Sequence, residues 1–152
     1  MAIHMKVTGT KQGVFTGDVA VAPFTGQILV HSVHFGVMRP TDAATFLPTG
    51  KAILRPVTIT KNMDKSSPLF LNAAYNNESA KVLITYTYEG GTATSKKQVA
   101  TIELTNVSFM EVSHSADTHG NAVETVSYGY TKIEYTWIDG GIVASADVQA
   151  NV

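Results

Sequence analysis

Along most of its length the chain alternates apolar and polar residues with a period of two, the mark of half-buried β-strands. Ile3, Met5 and Val7 interleave with Lys6 and Thr8, and Gly9, Gly13 and Gly17 then punctuate a loop. "ILVHSVHFGV", from Ile28 to Val37, is rich in β-branched and aromatic residues and predicts one strand ended at Gly36. Val57 to Thr60 alternate again, as do Val82, Ile84, Tyr86 and Tyr88 against Leu83, Thr85 and Thr87, with a turn expected at Gly90-Gly91. "KKQVATIELTNVSFMEVSHS" predicts a long strand with an irregularity at Asn106, followed by a loop from Ser115 to Asn121. Ile133, Tyr135 and Trp137 then share one strand face opposite Lys132, Glu134 and Thr136, and "IVASADVQANV" supplies a last strand. About seven strands separated by close turn signals predict one mainly β domain, a two-sheet sandwich or barrel.

Two segments break the period. "KNMDK" leads from Val57–Thr60 into "SSPLFLNAAY", where Leu69, Phe70 and Ala73 follow helical spacing. Ser67 reads as the N-cap with Pro68 at the first helical position, where its missing N–H costs nothing, and "NNES" stops the helix after about two turns. So short a helix is unstable alone and must pack on a sheet face or plug a barrel end. Lys61, Asp64 and Lys65 are read as ordering this hinge, with Asp64 near the helix N-terminus and its dipole. The other break, Met38 to Arg55, holds Pro40 and Pro48 and has no period. It predicts a long extended loop, and Phe46, Leu47, Ile53 and Leu54 make it apolar enough to dock on something.

Composition narrows the function. Charged residues are only 15% of the 152, against roughly 25% in an average soluble domain. A weakly charged exterior suits contact with other protein. Net charge is −1, so no basic face is broad enough for nucleic acid. Cysteine is absent, which removes disulfides, thiolate metal sites and a cysteine nucleophile. The N-terminus lacks the apolar core of a cleaved signal peptide and no run of about 20 apolar residues occurs, so neither export by that signal nor membrane insertion is expected.

"VTITKNMDKSSPLFLNAA" resembles the strand, hinge and helix of the haemolysin-coregulated protein (Hcp) family, the tube protein of type VI secretion. "MAIHMKVTG", "ILVHSVHFG", "AKVLITYTYEGG", "IELTNVSFMEVSHS" and "ETVSYGYTKIEYTW" are similar, in that order, to other strands of the family. The resemblance implies a two-sheet β-barrel with one helix and a long loop, assembled as hexameric rings that stack into a hollow tube. It implies cytoplasmic assembly, expulsion by a contracting sheath, a tip spike as partner and small effectors as cargo, with no catalysis and no cofactor. Arg39, Thr41, Asp42, Phe46, Leu47 and Lys51 would carry ring stacking. Lys61, Asp64, Lys65, Ser67 and Pro68 would form the hinge motif. If Val33 and Phe35 face the core, His34 faces the lumen and is a cargo-contact candidate. A phage-like contractile tail tube shares this fold and role.

Other chemistry has weaker support. His114, Asp117 and His119 have a spacing that could hold a metal, but a Ser/Thr-rich loop of that kind is more often solvated surface. His31 and His34, three apart in a strand, would face opposite sides. Gly50-Lys51 lacks the earlier glycine and the following Ser/Thr of a P-loop, and no G-x-S-x-G occurs. Trp137 with Tyr86, Tyr88, Tyr128, Tyr130 and Tyr135 could form a sugar-stacking platform, the basis of an alternative reading as a carbohydrate-binding sandwich.

Overall fold

A computed structural model describes residues 1–89 and 96–148; the expected turn at Gly90-Gly91 and the last four residues of the final segment lie outside them. The described residues form twelve strands and one helix, more strands than the sequence pattern predicts because several are two or three residues long. In order they are β1 Ala2–Gly9, β2 Gly13–Val14, β3 Ile28–Val30, β4 Ser32–His34, β5 Val37–Met38, β6 Ile53–Leu54 and β7 Val57–Asn62. Then come α1 Ser67–Tyr75, β8 Ser79–Glu89, β9 Lys96–Ala116, β10 Ala122–Gly129, β11 Lys132–Trp137 and β12 Ile142–Asp147.

The frame is β9, 21 residues long, paired along almost its whole length with β10 and β11 in succession. Ala122 opposes Ala116 at one end of this ribbon and Trp137 opposes Ala100 at the other. Asn106 interrupts β9 in the left-handed region at φ 56°, a conformation asparagine tolerates better than most residues. That break divides the molecule into two layers. The first half of β9 continues through β8 and β1, and the second half continues through β10 to β7.

The segment from Ile28 to His34 joins the two layers. It pairs β1 through Ile28–Val30 and β7 through Ser32–His34, so the single strand expected there is divided at His31, where it changes partner. The change is forced by sheet twist: one straight strand cannot follow both margins of a sandwich. Hydrogen bonding is therefore continuous in one ten-stranded sheet folded on itself, with β5 and β6 as a separate pair.

Met5, Val7, Ile28, Val57, Ile59, Val82, Ile84, Ile102, Leu104 and Val126 fill the interior. Along β8 Thr85 and Thr87 are both buried and Tyr88 is exposed, against the simple pattern, and a β-bulge opposite Tyr86 and Thr87 leaves Val99 as the extra residue of β9. Helix α1 closes one end by inserting Phe70 among Phe15, Phe109 and Tyr128. Phe15 and Phe109 meet Phe70 edge-on at 5.2 and 5.6 Å, and Phe109 meets Tyr128 at 5.8 Å. Such contacts add to the burial term of each ring. Outside the sheet, Gln12 clasps the helix: its side chain donates to Leu69 O at 3.1 Å and accepts from Asn72 at 2.9 Å. Gly9 permits this approach, since a Cβ there would sit 2.0 Å from the buried Glu78 carboxylate.

Phe70→Ala is expected to lower stability by about 3–5 kcal/mol, the range for deleting a core aromatic ring. Urea denaturation would check it. A loss below about 1 kcal/mol would mean that the helix does not plug the sandwich.

Candidate functional site

Two regions depart from an ordinary sandwich: the hinge before α1 and the arm between β4 and β7. The hinge centres on Lys61, whose ammonium is fully buried. Its Nζ donates to Asp64 Oδ1 and Glu124 Oε2 at 3.1 Å each, to Asn62 O at 3.0 Å and to Ser67 Oγ at 3.2 Å, and lies 5.5 Å from the centre of the Phe70 ring. Three N–H donors thus serve four oxygens, two of them from carboxylates that balance the buried charge. Glu124, on β10, is itself buried, with its other oxygen 3.4 Å from His114 Nδ1.

The local helix start differs from expectation. Ser66, not Ser67, precedes the first helical residue, and its hydroxyl does not cap the helix. Capping is done one step upstream. Asp64 Oδ1 accepts from the Ser66 N–H at 2.9 Å and from its hydroxyl, while Ser67 Oγ accepts from the Asp64 N–H at 3.0 Å. This reciprocal pair has the logic of a capping box, shifted because the Asp64 carboxylate is already held by Lys61. Pro68 is exposed in the first turn, and Lys65 points outward, 73% exposed, with Asp18 3.8 Å away. Of the five hinge residues named from sequence, Lys61, Asp64 and Ser67 converge, and Lys65 and Pro68 do not. Glu124 was missed because it lies 63 residues from Lys61, on a strand whose spacing carries no sign of charge burial.

The arm is an ordered hairpin rather than an irregular loop. Its stalk is β5 paired to β6, Val37 opposite Leu54, and Thr41 bridges to Pro48 further out. Asp42 builds the tip: its Oδ1 accepts from the N–H groups of Ala44 at 2.8 Å and Thr45 at 3.1 Å. Those two bonds hold its carboxyl below the ordinary carboxylate value. Phe46 follows at φ 58° with 79% of its surface exposed, and Leu47 is 63% exposed. A bulky apolar residue thus carries both a left-handed backbone and a wet ring, two costs that folding alone does not repay. Arg39 donates to Gly50 O at 3.4 Å, and Arg39 and Lys51 flank an open groove of about 540 Å³ between the stalk and residues 146–148.

The remaining candidates separate. His34 is exposed on β4 beside a groove that includes Arg55, Met110 and Glu111, while Val33 and Phe35 pack against the core. Asp117 is occupied within its own turn by Asn121 and the His119 N–H, which lower its pKa, and His114 turns to Glu124. Among the described residues no group of three His, Asp or Glu has ligand geometry. The aromatic residues do not make one platform: Tyr128 is fully buried with its hydroxyl on Met5 sulfur, whereas Tyr88 and Trp137 are exposed. Burial pushes the Tyr86 hydroxyl up to about 12.

Lys61→Met should cost about 3–5 kcal/mol by leaving Asp64 and Glu124 buried without their cation, while Lys65→Met should stay within about 0.5 kcal/mol; chemical denaturation of both variants compares them. The Asp42 turn has a pH signature. Because the folded carboxyl titrates below its ordinary 3.8, the turn is supported above that value and loses support as pH falls through the lowered one. Hydrogen exchange at the Ala44 and Thr45 amides should therefore accelerate, relative to the sheet, on acidification below about pH 4.

With this geometry in place, comparison with known proteins is direct. The chain is 29% identical over 165 residues to the major exported protein of Pseudomonas aeruginosa, covering 98% of this chain and 96% of that one. The fold matches Hcp1 of E. coli EAEC 042 with a TM-score of 0.87 at 25% identity, over 97% and 99% of the two chains. Secreted protein Hcp3 of P. aeruginosa matches with a TM-score of 0.79 at 26% identity, over 96% and 97%. The profile of the family described as type VI secretion system effector, Hcp, matches residues 4–137, and the chain belongs to that family.

Proposed function

We propose that this chain is the structural subunit of a type VI secretion tube: six copies close head to tail into a ring, rings stack through the arm between Thr41 and Ala52, and the tube is expelled by a contractile sheath. The spike at the tip, the sheath and small effectors in the lumen are its partners in this reading, with His34 as a lumen contact. It works without catalysis, as a conduit.

The observation that carries the reading is Phe46 at the tip of the hydrogen-bonded arm, strained and 79% exposed. An ordered arm that presents phenyl and leucyl side chains to water is built to be covered. Total surface agrees: the chain exposes 9129 Å², against about 7,500 Å² for a compact monomer of its mass. Val37, Leu71, Tyr75, Met110, Ile142 and Val143 add exposed apolar area on other sides, as a subunit with several neighbours requires. No helix among the described residues is long and apolar enough to cross a membrane.

Sedimentation of the purified chain, with negative-stain images of the same sample, should give a particle of about six subunit masses with a central hole. Deleting Thr41 to Ala52 should abolish end-to-end stacks and leave single rings. A stable monomer at tens of micromolar would overturn the proposal.

A further inference from the structure

The ribbon end where Trp137 opposes Ala100 carries an open groove of about 510 Å³ that the tube reading leaves without a role. Tyr88, Val99 and Trp137 give it apolar walls, and Lys97, Gln98 and Asp139 give it polar edges. Trp137 is the chain's one tryptophan. It is 43% exposed and Tyr88 48%, so each leaves close to half of its surface in water, although aromatic rings are the side chains with most apolar area to bury.

Two backbone devices build the groove. β8 and β9 pair in even register up to Tyr86 and Ala100; Val99 is then an extra residue, and beyond it Thr87 opposes Gln98 and Tyr88 opposes Lys97. A bulge of this kind twists its strand locally and re-aims the side chains that follow it. Here Thr87 stays buried while Tyr88 stands out on the groove. The Val99 carbonyl accepts from the Ile138 N–H at 3.0 Å, which docks the end of β11 onto the bulge. The chain then reverses, closed by donation from the Gly141 N–H to Ile138 O at 3.1 Å, with Gly140 and Gly141 at φ 86° and 62°. Glycine alone reaches such angles without cost, and the reversal sets Asp139 into the groove lining.

This mixture of surfaces selects a ligand. A purely apolar molecule would use the rings and leave the Asp139 carboxylate and the Gln98 amide idle, and an anion would meet that carboxylate. A pyranose has a C–H face that lies on an aromatic ring and a rim of hydroxyls that donate to a carboxylate and exchange both kinds of hydrogen bond with an amide. The volume falls in the ~300–1,000 Å³ range of ordinary small-ligand sites. We propose that the groove binds a neutral oligosaccharide, its sugar faces on Trp137 and Tyr88 and its hydroxyls on Asp139, Gln98 and Lys97. The site uses no residue of the arm or the hinge, so it stands or falls separately from the tube reading.

A lone tryptophan makes the test clean, because all indole emission comes from the groove. Cellohexaose, maltohexaose and chitohexaose are each titrated to low-millimolar concentration against the purified full chain while Trp137 emission is followed. At least one should give a saturable change. Tyr88→Ala should weaken that binding by about tenfold, the size of one lost ring contact. Asp139→Ala, in an exposed turn outside the core, should weaken it too and keeps the test valid if Tyr88→Ala fails to fold. Tyr75→Ala, on the outer face of α1, should leave it unchanged. No saturable change with any of the three sugars would overturn the proposal, as would a change that survives both Tyr88→Ala and Asp139→Ala. A shift of Trp137 emission on assembly that is reversed by deleting Thr41 to Ala52 would also overturn it, by giving the groove to the arm of another copy.

Discussion

The burial of one ammonium organises this molecule. Lys61 lies at the end of β7 with no access to water, and a cation so placed is tolerable only if its counter-charges are held in position. Asp64 supplies one from the hinge and Glu124 another from β10, so the start of the helix is tied to a strand far away in sequence. Once that knot is made, Asp64 faces the Ser66 amide, Ser67 faces the Asp64 amide, and the chain leaves β7 in a single direction. Phe70 is then delivered over the open end of the sandwich, against Phe15 and Phe109. Polar geometry sets the direction of the helix, and aromatic burial supplies most of its stabilisation. A hydrophobic residue at position 61 could match the burial, but it could not specify the turn.

The interior, closed in this way, uses little of the chain's remaining surface. The arm, the outer face of α1 with Leu71 and Tyr75, and the edge strand β12 all show apolar groups to solvent. In a monomer these would be liabilities. In a subunit with a neighbour on each side and another above, they are the places where further burial is gained, and a charged fraction of 15% is what such a surface looks like in composition. The Asp42 turn shows how the exposed arm keeps its shape: two backbone N–H bonds to one carboxylate do locally what a core cannot do at a distance.

Much of this was legible in the chain. The period-two runs located the long strands because each has one face on the core, and the serine-proline start with Leu69, Phe70 and Ala73 located the helix. Asn106 was readable as a break because few other residues are comfortable at that backbone angle. The division of Ile28–Val37 at His31 was not readable, since a strand that changes partner keeps the same alternation on both sides of the change. The bulge opposite Tyr86 and Thr87 escaped for a related reason: one extra residue in β9, Val99, leaves composition untouched. At the hinge, Lys61 and Asp64 stood out by proximity, whereas Glu124 and the shift of the cap to Asp64 depend on tertiary contacts that no local pattern encodes.

A cryo-electron microscopy reconstruction of the assembled protein, at a resolution that separates strands, shows directly whether the exposed arm is a contact between rings. Subunits should be related by rotation about a hollow axis, with Phe46 and Leu47 of each arm buried against the adjacent ring. Subunits related by a two-fold axis, or rings stacked with Phe46 still in solvent, would contradict it.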